Sequence, residues 1–256
     1  MEGGLAEAAA IPWRRRASDR ILRRDGRRWT LWSVGVVITF GVPTAALVAI
    51  QPLAAPAAAI FLAHGLAVLH IQAGRGARAI VPIGSERSAA RRGGADKRAE
   101  ATALGLLGDL LGHDERELVA ETGLALQRGR LGTWLVGEEG ALMVRPGGRR
   151  VDCWCVRVAE SADLPAGDRV AHLLLALRED EEGFATVANF NFSGAPWRVR
   201  LRLPRRSRPA LRRAREIARG RRPAGPQLLA PASPPGSGSP RSSSPAAPSP
   251  PDRGGW

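Results

Sequence analysis

Between Trp29 and Gly74 the chain carries no Asp, Glu, Lys or Arg, an uninterrupted run of about 46 residues. As one continuous helix rising about 1.5 Å per residue, such a run would extend roughly 70 Å. The hydrocarbon core of a bilayer is only about 30 Å thick. The run therefore calls for two spans of about 20 residues each, reversing where Gln51, Pro52 and Pro56 interrupt helical continuity. The resulting transmembrane helical hairpin covers 29–74, with spans at about 30–50 and 54–73.

The flanks set its orientation. Arg14, Arg15, Arg16, Arg20, Arg23, Arg24, Arg27 and Arg28 precede the first span, and Arg75, Arg78, Arg87, Arg91 and Arg92 follow the second. Positive charge is retained on the cytoplasmic side, so the sequence predicts a multi-pass protein of the cell (plasma) membrane with both termini cytoplasmic. A competing reading takes 1–57 as a cleaved export signal. Cleavage would still leave a second apolar stretch followed by arginines, which counts against it.

Inside the hairpin, small residues recur every four positions, as Gly41, Ala45 and Ala49 in the first span and Ala55, Ala59, Ala63 and Ala67 in the second. That spacing lets helix backbones approach closely. It suits packing within the hairpin and leaves a homo-oligomeric contact open. Pro43 predicts a kink. His64 falls near the middle of the second span, where an ionisable group marks a functional position by default. With no charged partner in either span, a neutral, hydrogen-bonded imidazole is the expectation.

Formal net charge is +14, and Lys97 is the only lysine. The excess is thus arginine in an Ala-, Gly- and Pro-rich chain, consistent with a GC-rich coding bias, and only part of it speaks for anionic partners. Two cysteines cannot make a disulfide framework. The absence of tyrosine, together with the single lysine, leaves few groups for covalent catalysis and weighs against an enzyme.

After the basic segment 1–28 and the hairpin, a Gly- and Arg-rich linker at 75–97 leads into a cytoplasmic α+β domain at 98–203. Leu104, Leu107 and Leu111 recur at helical spacing, and Asp114 with Glu117 forms a capping box, predicting helices at about 99–111 and 115–128. Strands are predicted at Trp134 to Val136, Ala141 to Arg145 and Val151 to Val158, joined by turns at Gly137 to Gly140 and Pro146 to Gly148. Val170 to Leu177, apolar on both faces, reads as a central strand, with a helix as the alternative. The acidic turn 179–182 opens a hairpin into Phe184 to Phe192, with Phe184, Phe190 and Phe192 on one face. Trp197 to Leu203 alternates as a last strand, placing Arg198, Arg200 and Arg202 on one outer face. An Arg-rich segment at 204–222, possessing Arg212 and Arg213 and helical in part, precedes a Pro- and Ser-rich tail at 223–256 with the composition of a disordered region.

Arg198, Arg200, Arg202, Arg212 and Arg213 form the candidate surface for anionic lipid headgroups. Nucleic acid is disfavoured as their partner, and a solvated edge strand kept charged against edge pairing is the plain alternative. Cys153 and Cys155 share one side of a strand, but zinc would need further ligands, and His113 and His172 are the only imidazoles outside the spans. Asp109, His113 and Glu117 are spaced at four, with Gly112 between them as a breaker. Asp163, Asp168 and His172 could supply acid and base groups without a defined geometry. No phosphate-binding glycine loop, nucleophile elbow, paired metal motif or nuclease-type Glu-x-Lys element is present. The sequence thus predicts no catalytic residue, metal or cofactor.

Arg-Arg-Asp-Gly-Arg-Arg at 23–28, Phe-Gly-Val-Pro at 40–43, Gly-Leu-Leu-Gly-Asp at 105–109 and His-Leu-Leu-Leu-Ala-Leu-Arg-Glu-Asp-Glu at 172–181 carry a resemblance. Over about 20–205 the chain resembles uncharacterised actinobacterial two-helix membrane proteins with a cytoplasmic α+β domain. The resemblance implies topology and not mechanism. In outline the order of elements is also similar to bacterial pleckstrin-like membrane proteins. The function expected from the sequence is a membrane-tethered interaction or scaffolding domain with a protein partner. The alternatives are a membrane-bound enzyme, and anionic lipid or nucleic-acid binding through the arginines.

Overall fold

The computed structural model describes residues 15–91, 97–156 and 164–220. The chain divides into two units, Met1–Pro223 and Ala224–Trp256. All described residues belong to the first, and the tail predicted from 223 onward lies outside them.

Ser18 caps the first helix, α1 (Asp19–Ile50), its hydroxyl accepting from the Ile21 amide at 3.4 Å. The helix ends at the extended residue Gln51, and a 3₁₀ turn, Pro52–Ala54, leads into α2 (Ala55–Arg78). Both helices are long and apolar enough to cross a membrane. Their side chains, among them Leu31, Val37, Ile38, Ile60 and Leu66, are largely exposed. Hydroxyls within this apolar surface satisfy themselves on carbonyls four residues back: Thr30 on Gly26, Ser33 on Trp29 and Thr44 on Phe40.

The seam between α1 and α2 differs from the expected small-residue rows. Ala58 and Gly65 are buried in it, and a Cβ at Gly65 would stand 2.8 Å from the Cβ of Phe40. The facing row on α1 is Ser33, Val36, Phe40, Thr44 and Leu47, all partly buried. Ala45, Ala49, Ala55, Ala59, Ala63 and Ala67 are exposed, and Gly41 has nothing within 4 Å of its Cβ position. Both rows have helical spacing. The row carrying Phe40 and Leu47 faces α2 at Gly65, whose missing side chain admits the Phe40 ring at close range.

Beyond the hairpin come the short helix α3 (Glu86–Arg91), then α4 (Lys97–Asp109) and α5 (His113–Thr122). The capping box is not formed. Gly112 is the N-cap of α5, and Gly123 stops the helix in the left-handed region at φ +70°. Residues predicted to finish that helix instead form strand β1 (Ala125–Arg128). It begins an antiparallel sheet with β2 (Thr133–Gly137), β3 (Gly140–Val144), β4 (Val151–Cys155) and β5 (Asn189–Gly194), in the order β1-β2-β3-β4-β5.

Between β4 and β5 lie α6 (Ala166–Glu179) and α7 (Glu181–Val187), and neither is the strand predicted there. Val170, Leu173, Leu174 and Leu177 are buried at the 3–4 spacing of a helix, while His172, Leu175 and Arg178 are exposed. Asp180 caps α7 by accepting from the Gly183 amide at 2.8 Å. The predicted last strand is also helical. After β5 come α8 (Pro196–Arg200), a 3₁₀ turn Arg205–Ser207, and α9 (Arg208–Gly220). Pro196 at the first helical position favours that outcome. Val199 and Leu203 are buried while Trp197 and Leu201 are 62% and 66% exposed, the reverse of an alternating strand.

The sheet is covered on both faces. On one, Trp134, Met143 and Trp154 pack against Leu107, Val170, Leu174 and Phe184, with the two indoles 4.9 Å apart. On the other, Leu135, Leu142, Val151, Cys153 and Phe192 meet Ala210, Leu211, Ala214 and Ala218 of α9, together with Ala73, Ala77 and Ile80 at the end of α2. The Arg-rich segment is therefore part of this core. Phe190 and Phe192 do not share a face, because a register shift pairs Cys153 with Phe192 but Trp154 with Phe190. The extra residue, Asn191, turns the two rings to opposite sides.

Candidate functional site

The candidate site lies where the apolar hairpin meets the sheet. The β3–β4 turn sends two guanidinium groups to the backbone of α1. Arg145 donates to the Leu22 carbonyl at 2.5 Å, and Arg150 donates to the Gly26 carbonyl at 2.5 Å and to Ser193 Oγ at 2.9 Å. Gly26 permits this approach, since a Cβ there would stand 2.7 Å from Arg150 Nη1. Arg145 also pairs with Asp152, which is fully buried. Burial pushes the Asp152 carboxyl above its ordinary range, and Arg145, the Ser193 hydroxyl and Arg150 draw it back. Desolvation lowers Arg150 from the usual guanidinium range.

One helical turn further along α1, Trp29 packs edge-on against Phe190 at 6.3 Å and Phe192 at 5.7 Å between centroids. At the facing helix, Arg198 donates to the Leu69 carbonyl at 2.9 Å and to Ser33 Oγ at 3.4 Å while standing 5.2 Å from the Phe192 ring centre. Burial lowers its pKa. Carbonyl, hydroxyl and ring occupy this guanidinium, so it belongs to the joint and not to an open binding face.

Beside the joint lies a cleft of about 840 Å³ between the end of α2, the loop 79–87 and the segment 202–206. Ile71, Ala77, Ile80 and Val81 line it together with Arg78, Arg87, Arg202 and Arg206, and Glu86 is its one carboxylate. Arg206 donates to the Ile83 carbonyl, and Arg202 reaches the His70 carbonyl at 3.5 Å. None of the four guanidinium groups has a carboxylate partner among the described residues.

The predicted arginine surface is thus divided. Arg198 is in the joint, Arg202 lines the cleft, and Arg200 is exposed on α8. Arg212 and Arg213 are exposed on α9, in a groove with Glu115, Glu117 and Glu121 of α5. Arg78, Arg87 and Arg206 are not among the site residues that the sequence predicts. Arg78 and Arg87 follow the second apolar span and Arg206 belongs to the Arg-rich segment, and only the fold brings them beside Arg202.

Of the remaining candidates, His64 is exposed with Nδ1 2.8 Å from the Ile60 carbonyl, so Nδ1 carries the proton. His113 stands 3.3 Å from Glu117, while Asp109 is 3.8 Å from Arg116. Cys153 is buried and Cys155 half-buried, and neither forms a disulfide. Burial, aided by Asp152, pushes the Cys153 thiol well above its ordinary range. Asp163 lies outside the described residues, and His172 is exposed. No group of three His, Cys, Asp or Glu side chains suited to a metal occurs among the described residues. A scan against protein-family models and searches of curated proteins and of solved structures found no match.

Proposed function

We propose that this chain is an integral protein of the cell membrane, spanning it twice with both termini in the cytoplasm, and that its α+β domain is an interaction platform fixed to the bilayer face. The single observation that carries the reading is the continuity of the joint. Arg145, Arg150, Trp29 and Arg198 bind the sheet to both helices of the hairpin, so the domain has a set height and orientation instead of hanging on a linker. Arg198 contacts Ser33 and Leu69, which lie about one turn inside the uncharged run. The adjacent α8 then presents Trp197 and Leu201, four residues apart and exposed, at the depth where aromatic side chains favour the interface of a bilayer. Such a domain suits a partner that is itself at the membrane.

Two measurements test this. A cysteine replacing the exposed Glu117, in a chain whose native cysteines are serine, is labelled in intact cells with an impermeant maleimide. Protection until the cells are opened supports the cytoplasmic orientation, and immediate labelling overturns it. Affinity capture from native membranes then compares the full chain with one lacking 97–220. Partners held only by the full chain support the platform, and identical sets of proteins overturn it.

A further inference from the structure

Resting on that membrane reading, we propose that the cleft of Arg78, Arg87, Arg202 and Arg206 is a binding site for the phosphate of an anionic phospholipid, whose acyl chain follows Ile71 along α2. The two halves of the cleft suit the two halves of such a molecule. Four guanidinium groups face one carboxylate, and none is neutralised by an ion pair among the described residues, so the lining of the cleft carries a net positive charge that a headgroup phosphate would complement. The floor is apolar through Ile71, Ala77, Ile80 and Val81, and Ile71 is 57% exposed on the flank of the hairpin. A free phosphate ion uses only the rim. A lipid uses both, and the cleft opens onto the α2 surface from which a lipid would enter.

The backbone also suits a close approach. Gly74 and Gly84 line the cleft, and Gly84 sits at φ +68° with only the Arg206 guanidinium near its Cβ position, at 3.5 Å. The arginines of α9 offer a different environment, because Arg212 and Arg213 share their groove with four glutamates, Glu115, Glu117, Glu121 and Glu216, and with Asp114. The selective site is therefore the cleft at the end of α2, and not the most Arg-rich segment.

The test is native mass spectrometry of the full chain in mild detergent, titrated with dioleoyl phosphatidylglycerol, dioleoyl phosphatidylcholine or inorganic phosphate. The cleft variant is Arg78→Gln/Arg87→Gln/Arg202→Gln, and Arg212→Gln/Arg213→Gln is the charge control. Wild type retains phosphatidylglycerol in preference to phosphatidylcholine. The cleft variant loses at least about tenfold in that affinity, given a contribution of roughly fivefold for each guanidinium at a headgroup, while the control keeps it. Equal loss in both variants, or unchanged binding in the cleft variant, overturns the site. Inorganic phosphate binding as strongly as the lipid overturns the lipid as ligand. If the triple variant does not fold, Arg87→Gln alone, at a side chain with no hydrogen bond among the described residues, reads the same affinity. The titration is independent of orientation and of protein partners, so its failure is separate from failure of the labelling or capture experiments.

Discussion

Gly76 and Phe192 are in contact where α2 crosses the sheet, and the fit allows no side chain at 76: a Cβ there would stand 2.6 Å from the Cβ of Phe192 and 2.8 Å from its Cγ. Gly76→Ala must displace a ring that already packs against Trp29 and lies under Arg198. The expected cost is about 1–3 kcal/mol, the range for overpacking a filled core. Thermal unfolding in detergent, followed by tryptophan fluorescence, checks it, and an unchanged midpoint would show that the joint yields freely.

Asp152 and Arg145 form a buried pair that also holds the Leu22 carbonyl. Asp152→Asn leaves the guanidinium without its counter-charge and should destabilise by about 3–5 kcal/mol, as does the loss of one partner of a buried ion pair. Chemical denaturation with the hairpin in micelles provides the measurement.

A second buried pair offers a sharper comparison. Glu138 and Arg169 meet at 2.7 Å, joining the β2–β3 turn to α6. Arg169→Met should cost about 3–5 kcal/mol, and the double variant with Glu138→Leu should recover most of it, because desolvating two charges offsets their attraction. A double variant no more stable than the single one would contradict this balance.

The two cysteines should separate by reactivity. Cys153 is buried with its thiol pKa pushed well up, so it stays protonated and unreactive, whereas half-buried Cys155 takes the label first. The sign for stability follows from proton counting. Above the ordinary thiol range, near pH 8.5, the unfolded chain has lost a proton that folded Cys153 retains, so this contribution is intact at neutral pH and declines as pH rises. Mass mapping of alkylated peptides between pH 7 and 9 should find Cys155 modified and Cys153 untouched until unfolding.

Within the hairpin, Gly65→Leu should disrupt helix pairing because Phe40 fills the space beside it, while Ala63→Leu on the exposed side should leave pairing unchanged. Cross-linking of cysteines introduced on α1 and α2 distinguishes the two. Equal effects would place the seam elsewhere.

The long apolar helices and the meander through β2, β3 and β4 were legible in the sequence because each rests on local pattern: an uncharged run too long for one helix, and strands bounded by Gly-rich turns. Val170 to Leu177 misled because leucine at nearly every position satisfies a helix and a buried strand alike. The decision came from the layer it packs against. Trp197 to Leu203 misled more deeply, since its apparent apolar face is half outward, an arrangement that makes sense only beside the hairpin. The cleft was hidden for a related reason: Arg78 and Arg202 are far apart in sequence and adjacent only after folding.

β5 is an outer strand of the sheet, and both α1 and α2 pack against it, Trp29 meeting Phe190 and Phe192. An outer strand left uncovered is a template for pairing with other chains. Translation order removes the hazard here: the hairpin is synthesised well before β5, and on the proposed topology it is already lodged in the bilayer when that strand emerges. The last strand to join the sheet thus meets a waiting cover instead of open solvent. A ribosome delivering this chain away from a membrane would release the same strand with its template exposed.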